Sequence, residues 1–280
     1  MISKPHYSDD GVTLHLGDAL SVAADLPDGM ADCIVTSPPY YSLRDYGVDG
    51  QYGLEESPAA YVETMRTLFD ELRRVIADDG TLWLNLGDSY YSGRGNPGKG
   101  SVDRKNRSRR GWTRPLDKPG QSWARPKELL GIPWRVSQAL TMDGWRLRSA
   151  ITWHKVGALP EPTAKDRPNN DYEMVFLLVK SRNYWFDPES SQLGAVWSIP
   201  IERARPGHPA PMPVALAERC INAGCKPGGV VLDPFSGAAA TGVAAQNLGH
   251  RYVGIDIKPE YIELARNRLQ QIPAAVPSLT

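Results

Sequence analysis

Short apolar runs alternate with longer stretches of helical periodicity along most of the chain. The runs have the length and composition of buried strands. The predicted strands cover residues 12–16, 32–36, 81–86, 145–154, 172–180, 230–232 and 252–255. The predicted helices cover residues 58–78, 132–142, 213–222, 240–248 and 259–270. Strands that alternate with helices predict an open, mostly parallel sheet with helices on both faces.

The first long helix has both of its ends marked in the sequence. Ser57 is a suitable cap, and Pro58 suits the first helical position. Apolar residues then recur at helical spacing as far as Ile76, and Asp79-Gly80 predicts the end of the helix.

An apolar run, Cys33-Ile34-Val35, leads directly into the pentapeptide Thr36-Ser37-Pro38-Pro39-Tyr40. Its two prolines fix φ and remove two N–H donors, so the carbonyls of Ser37 and Pro38 can point outward as acceptors. Tyr40 can stack on a base that has been extruded from a duplex. These features predict a site for a flat base with an exocyclic amine. Taken alone, the pentapeptide is equally compatible with a proline-stiffened turn.

A second chemical motif lies near the other end of the chain. The strand that ends at Leu232 runs into the tight turn Asp233–Gly237, and small residues then open a helix. Asp256 follows the next strand, at about the separation from which an acid reaches the ribose of a nucleoside cofactor. The turn at 233–237 and the helix that it opens contain no Gly-x-Gly-x-x-Gly. The pattern therefore favours a nucleoside cofactor without phosphates over a nicotinamide dinucleotide.

Composition narrows the class of protein. The chain has 280 residues, 41% of them apolar, and no stretch long and apolar enough for a membrane span. Cys33, Cys220 and Cys225 form no Cys-x-x-Cys pair, so we expect neither a disulfide framework nor a metal site. No signal peptide is recognised at the N-terminus, and a cytoplasmic location is expected.

The net charge of zero conceals one strongly basic segment. Residues 94–127 contain eleven Lys or Arg residues but only two acidic ones. Trp112 and Trp123 add stacking surfaces there, so the segment is typical of one that binds nucleic acid. A solvated loop rich in Gly, Pro, Ser and Asn is the alternative.

Asp-Pro-Phe-Ser-Gly at 233–237 together with Thr-Ser-Pro-Pro-Tyr at 36–40 resembles the DNA amino-methyltransferases that use S-adenosylmethionine. The order of the two motifs resembles the circularly permuted β class of that family. The resemblance implies one methyltransferase domain over 1–280, with a Rossmann-like, doubly wound, mostly parallel α/β sheet. That sheet would have seven strands, one of them antiparallel.

The same resemblance implies roles for particular residues. Asp256 would bind the ribose, Asp18 would meet the adenine ring, and His208 would lie near the methionine end. A second glycine of the family is replaced within Ala238-Ala239, and a methyl group there is expected to narrow the cleft. The full set of implied cofactor residues is Asp18, Thr36, His208, Pro209, Asp233, Pro234, Phe235, Ser236, Gly237 and Asp256.

The catalytic residues implied are Ser37, Pro38, Pro39 and Tyr40. Acceptors at Ser37 and Pro38 would hold the amine of a flipped base, and Tyr40 would stack on that base. Ser at position 37 favours cytosine N4 as the target over adenine N6. Methylation at cytosine C5 would need an attacking thiolate, and no Pro-Cys pair is present.

Double-stranded DNA is the expected substrate, and residues 91–130 form the basic insertion expected to contact it. Too little chain lies between residues 188 and 196 for a separate recognition domain. The resemblance also allows for a homodimer, a partner restriction endonuclease, and a prokaryotic or phage source. The predicted DNA-binding residues are Arg104, Lys105, Arg107, Arg109, Arg110, Trp112, Arg114 and Lys155.

Three other functions compete with this interpretation. A protein or RNA amino-methyltransferase usually has Asn where this chain has Ser37. A nucleic-acid-binding module without activity would have no need of Ser37–Tyr40 and Asp256. A nicotinamide-dependent oxidoreductase is disfavoured by the missing phosphate-binding glycines.

Overall fold

The computed structural model describes residues 4–93, 120–160, 165–202 and 212–272. Within these ranges it contains one mixed sheet flanked by helices. The strands are β1 (Tyr7–Ser8), β2 (Val12–Leu16), β3 (Ala31–Thr36), β4 (Ile76–Leu86), β5 (Arg146–Val156), β6 (Tyr172–Val179), β7 (Val196–Pro200), β8 (Val230–Asp233) and β9 (Arg251–Asp256). The α-helices are α1 (Ala19–Asp25), α2 (Pro58–Val75), α3 (Ile132–Met142), α4 (Val214–Gly224), α5 (Ala240–Asn247) and α6 (Pro259–Leu269).

The strand order across the sheet is β1-β2-β9-β8-β3-β4-β6-β5-β7. The seven central strands, from β2 to β5 in this order, include one antiparallel strand, β6, as predicted. The described sheet is nevertheless wider than expected, because β1 and β7 extend its two edges. β1 is too short to show a period, and β7 buries only Trp197 and Ile199.

Neighbouring strands β3 and β8 mark the point at which the sheet reverses its winding. They are parallel, with Ile34 opposite Leu232, and the chain leaves them towards opposite edges of the sheet. The crossover through α2 leads to β4, whereas the crossover through α5 leads to β9. Open sheets of this kind bind ligands beyond the carboxyl ends of such strands.

Helix α2 begins as predicted but ends earlier. Ser57 accepts a hydrogen bond from the Ala60 N–H, and Pro58 occupies the first turn. The helix ends at Val75 rather than near Asp79-Gly80, because Ile76 is already extended and lies opposite Ala31 in the sheet. Pairing with β3 therefore overrides helical spacing over the last predicted turn.

The two faces of the sheet carry separate hydrophobic cores. Helices α1, α2 and α3 pack on one face, with Phe69 and Leu140 among the fully buried residues. Helices α4, α5 and α6 pack on the other face, where Ile221 and Ile262 are fully buried. This arrangement confirms the doubly wound α/β fold. None of the helices in the described ranges is long and apolar enough to cross a membrane.

Candidate active site

A cleft of about 720 Å³ opens beyond the carboxyl ends of β3 and β8. Ser37, Pro38, Pro39 and Tyr40 line one side of it, and residues 233–238 line the other. Asp256 lies at the end of β9 and also lines the cleft. The two motifs are thus brought to one cavity, although almost 200 residues of sequence separate them.

Asp233, at the end of β8, organises the turn that follows it. Its carboxylate accepts hydrogen bonds from Thr36 Oγ1 at 2.8 Å, from Thr241 Oγ1 at 2.7 Å and from the Phe235 N–H at 3.0 Å. Burial raises the pKa of Asp233 to about 6. Thr36 is fully buried and is not among the described residues that line the cleft. Asp233 therefore joins the end of β3, through Thr36, to the 233–237 turn and to the start of α5.

Backbone N–H groups converge on Asp256. Its two carboxylate oxygens accept from the Gly237 N–H at 2.9 Å and from the Lys258 N–H at 2.8 Å. Gly237 has φ = 51°, in the left-handed region that favours glycine. Burial raises the pKa of Asp256. Each oxygen keeps lone-pair capacity for a further donor, such as a ribose hydroxyl.

An aromatic pair stands beside this turn. The rings of Phe235 and Tyr52 meet edge to face with centroids 5.0 Å apart, and both residues line the cleft. Burial, and secondarily the Asp18 carboxylate, raises the pKa of Tyr52. Asp18 caps α1 by accepting from the N–H and the hydroxyl of Ser21. Tyr52 was not predicted from the sequence, where it stands in a polar loop without periodicity.

Ala238 and Ala239, which follow the 233–237 turn, differ in where their methyl groups lie. Ala238 lines the cleft, whereas Ala239 is fully buried in the core on the α4–α6 face. Ala239 also adopts φ = 55°, a conformation that is unfavourable for a residue with a Cβ. The Ala239 methyl group therefore strains the backbone instead of narrowing the cleft.

The side of the cleft lined by Ser37–Tyr40 is called the base side, after the base predicted to bind there. On this side, hydrogen bonds join the hydroxyls of Ser37 and Tyr40 to a carboxylate. Ser37 Oγ lies 3.2 Å from the Tyr40 hydroxyl, which donates to Glu173 Oε2 at 2.5 Å. Asn85 Oδ1 is a second acceptor at 3.1 Å from the Tyr40 hydroxyl. Burial, with the Glu173 charge as the next cause, raises the pKa of Tyr40 well above its usual range.

Lys155 belongs to the same group of side chains. Its ammonium donates to Glu173 Oε1 at 3.2 Å, and the two side chains are only 20% and 14% exposed. Lys155 lines the cleft, so it lies beside the base side and not on an open surface where a phosphate would be met. Its predicted role in DNA binding stays a prediction, now directed to the interior of the cleft.

Gly87 leaves the space that the Tyr40 ring occupies. A Cβ at Gly87 would lie 2.5 Å from Tyr40 Cε2 and 2.8 Å from Cδ2, both closer than real contacts allow. The ring is therefore held by close approach on one side and by its hydroxyl at the far end.

The sheet topology explains why Glu173 reaches this site. β6 is antiparallel to β4 and β5, so its first residues lie at the edge where its neighbours end. Leu86 lies opposite Met174, and His154 opposite Tyr172. Asn85 and Glu173 were missed from the sequence, where the only signal is a polar residue at the end or start of an apolar run.

Several predicted site residues lie outside the described ranges. Among the predicted cofactor residues these are His208 and Pro209. Among the predicted DNA-binding residues they are Arg104, Lys105, Arg107, Arg109, Arg110, Trp112 and Arg114. Their roles stay predictions.

Comparison with known proteins finds a family model and relatives that match most of this chain. The family model described as "DNA methylase" (N6_N4_Mtase) matches residues 31–267. The chain is 45% identical to the Type II methyltransferase M.Cfr9I of Citrobacter freundii, over 96% of this chain and 92% of the relative. It is 43% identical to the Type II methyltransferase M.SmaI of Serratia marcescens, over 91% and 89%.

Solved structures give the same result for the fold. The PvuII DNA methyltransferase, described as cytosine-N4-specific, superposes with a TM-score of 0.72 at 18% identity, covering 98% of this chain and 90% of that one. TTHA0409 of Thermus thermophilus, solved in complex with S-adenosyl-L-methionine, superposes with a TM-score of 0.65 at 26% identity, covering 92% and 93%.

Proposed function

The chain belongs to the N6/N4 family of DNA methylases, and we propose that it methylates the N4 amine of a cytosine extruded from duplex DNA into the cleft. The observation that carries this proposal is the single cleft lined by Ser37–Tyr40 on one side and by Asp233–Gly237 with Asp256 on the other.

S-adenosylmethionine is the cofactor, and the residues of the 233–256 side fit it. Asp256 has lone pairs left for ribose hydroxyls, and Gly237 leaves the floor of the turn without a side chain. Phe235 and Tyr52 offer apolar edges for a flat ring, and we assign Asp18 to the adenine end. When bound, the cofactor supplies a methyl group attached to a positively charged sulfur.

The residues on the base side act on the nucleophile. An exocyclic amine is a poor nucleophile, because its lone pair is delocalised into the ring. Ser37 Oγ and the Pro38 carbonyl would accept the two amine hydrogens, which favours a pyramidal nitrogen with its lone pair free. The Pro38 carbonyl has no competing N–H on the next residue, Pro39.

Fixed dipoles and a fixed geometry account for the remaining catalysis. The same acceptors would stabilise the positive charge that develops on the amine, because they are fixed in place before the reaction. Tyr40 stacks on the base and holds it in line with the methyl group. The amine proton then leaves to solvent, since methyl transfer makes it strongly acidic.

Methylation at cytosine C5 does not fit the cleft. Such a reaction requires a thiolate that attacks the base. Cys33, Cys220 and Cys225 are all buried, and none of them lines the cleft. Transfer to an amine is the reaction that the lining residues support.

The choice of cytosine rests on Ser37, and adenine N6 is the alternative. The experiment is incubation of the purified chain with mixed-sequence DNA and isotopically labelled S-adenosylmethionine, followed by digestion and nucleoside mass spectrometry. Label in N4-methylcytosine supports the proposal. Label only in N6-methyladenine overturns the base assignment, and absence of label from both overturns DNA amino-methylation.

We assign duplex contact to the basic insertion at 91–130. Its described ends are anchored next to the Ser37–Tyr40 segment, where the Trp123 ring packs against the rings of Tyr41 and Tyr91 with centroids 6.2 and 5.0 Å apart. Replacing residues 94–119 with a short Gly-Ser linker should weaken DNA binding and flatten its salt dependence, with cofactor affinity unchanged. Full DNA affinity of this variant at moderate salt would refute the assignment.

The remaining predictions concern the setting of the enzyme. A partner endonuclease is consistent with relatives named as Type II methyltransferases. The partner endonuclease, the homodimer and the cytoplasmic location all stay predictions.

A further inference from the structure

We propose that Glu173 is a positioning residue: it fixes the direction of a hydrogen-bond chain through Tyr40, so that Ser37 Oγ presents lone pairs to the target amine. The chain runs from Ser37 Oγ to the Tyr40 hydroxyl at 3.2 Å and on to Glu173 Oε2 at 2.5 Å. This inference rests on the proposed amine methylation and assigns Glu173 a role in it.

The surroundings of the Glu173 carboxylate leave it only one role in hydrogen bonding. It faces three donors: the Tyr40 hydroxyl, the Asn85 amide at 3.3 Å and the Lys155 ammonium at 3.2 Å. An ionised carboxylate can only accept. The Lys155 charge beside it, with little solvent around either side chain, keeps the negative charge balanced.

Asn85 gives the Tyr40 proton the same direction. Asn85 Nδ2 donates to the Met174 carbonyl at 3.2 Å, which turns Oδ1 towards the Tyr40 hydroxyl at 3.1 Å. The Tyr40 oxygen therefore faces acceptors at both Glu173 and Asn85. Glu173 Oε2 is both the nearer acceptor, at 2.5 Å against 3.1 Å for Asn85 Oδ1, and the charged one, so the single proton points to Glu173.

The consequence reaches Ser37. Because the Tyr40 proton is already directed away, the Tyr40 oxygen can only accept from Ser37. Ser37 then commits its one proton to Tyr40, and its lone pairs remain for an N–H of the amine. A serine free to rotate could instead donate to the amine nitrogen and occupy the lone pair that must attack the methyl group.

The test is a double-mutant cycle on Tyr40→Phe and Glu173→Gln. Tyr40→Phe keeps the stacking ring and removes the link, whereas Glu173→Gln keeps the shape and removes the charge. We expect each to lower the single-turnover rate of methyl transfer about 10- to 100-fold, with the dissociation constants of cofactor and DNA unchanged. The double variant should be no slower than Tyr40→Phe, because Glu173 acts through Tyr40.

Two outcomes would overturn the proposal. If the losses multiply in the double variant, Glu173 acts independently of Tyr40, for example as a general base. If neither single variant slows methyl transfer, the direction of the hydrogen-bond chain does not affect the reaction. Tyr184→Phe and Glu218→Gln are matched controls, since each changes a hydrogen-bonding group outside the cleft.

An effect of Glu173→Gln on the stability of the protein must be separated from its effect on the direction of the hydrogen bonds, because this variant leaves the Lys155 charge without its partner. The variant Lys155→Met/Glu173→Gln removes both charges. We expect it to recover the melting temperature without recovering the rate; recovery of both would mean that Glu173 matters only for folding. Whichever base the wild type methylates, the cycle applies, so failure of the cytosine assignment remains distinguishable.

Discussion

The two sides of the cleft are shaped by different parts of the polypeptide, one by its backbone and the other by its side chains. On the cofactor side, backbone groups give the shape: Gly237 and Ala239 have left-handed φ, and N–H groups converge on Asp256. On the base side, side chains that come from neighbouring strands give the shape, and the hydrogen bond between Tyr40 and Glu173 lies at their centre. The first side should therefore be sensitive to backbone conformation and the second to single side-chain atoms.

The largest expected effect comes from Gly87→Ala, which acts on the base side alone. The new Cβ would lie 2.5 Å from the Tyr40 ring and must displace it. We expect single-turnover methyl transfer to slow about 100-fold, because the stacking ring shifts by a fraction of an ångström or more. Calorimetry should show unchanged affinity for S-adenosylmethionine.

Gly194→Ala is the matched control for that change. No atom lies within 4 Å of a Cβ built at Gly194, so its rate should equal that of the wild type. A loss of cofactor affinity in Gly87→Ala, parallel to the loss of rate, would break the separation of the two sides.

Asp256→Ala tests the cofactor side. It removes the acceptor for two backbone N–H groups and for the proposed ribose hydroxyls. Calorimetry should show a cofactor dissociation constant about 30-fold higher, near 2 kcal/mol, while DNA affinity stays the same. Asp9→Ala is the control, since Asp9 also accepts two backbone N–H groups, but outside the cleft. An unaltered cofactor affinity in Asp256→Ala would refute the ribose assignment.

Asp233→Asn keeps the shape of the buried Asp233 side chain and removes its charge, so it tests what the charge contributes on the cofactor side. The folded-state pKa is raised to about 6 from 3.8, so the wild type loses stability as pH rises from about 4 to 6. The ionisation costs on the order of 3 kcal/mol, and a weaker set of acceptors in the amide offsets about 1 kcal/mol. Denaturation curves at pH 7 should therefore show the variant more stable by about 1 to 2 kcal/mol.

The gain from Asp233→Asn should disappear at pH 4, where the wild-type carboxyl is largely protonated in the folded state. A variant that is less stable than the wild type at pH 7 would contradict this account of the buried charge.

Ala239→Gly should have the smallest effect. Release of the left-handed strain gains about 1 kcal/mol, and loss of a buried methyl group costs about 0.8 kcal/mol. The melting temperature should therefore stay close to that of the wild type. Cofactor affinity should also be unchanged, because the methyl group lies in the core; Ala238→Gly, on the cleft wall, is the contrasting variant. A marked gain in affinity from Ala239→Gly would place its methyl group in the cleft after all.

The difference between the two sides also explains what the sequence could predict. The turn at Asp233–Gly237 and the acid at Asp256 are formed by short contiguous segments, so their spacing alone revealed them. The alternation of strands and helices likewise gave the doubly wound sheet. In the structure, the two motifs share one cleft because β3 and β8 are neighbouring strands.

The base side could not be predicted in the same way. Glu173 is the second residue of the antiparallel strand β6, and only the register of β6 against β4 and β5 brings its carboxylate to the Tyr40 hydroxyl. The role of Lys155 in DNA binding stays a prediction, but its ion pair with Glu173 was not predicted from the sequence. The end of α2 was predicted too late for a similar reason, because Ile76 pairs with Ala31 in the sheet.

The most direct measurement is a crystal structure of the chain with S-adenosylhomocysteine and a duplex that contains its methylated sequence. The account predicts one flipped base in the cleft, its exocyclic amine within hydrogen-bond distance of Ser37 Oγ and its ring stacked on Tyr40, with the ribose of the nucleoside at Asp256. A base bound elsewhere, or a nucleoside bound away from Gly237 and Asp256, would contradict it.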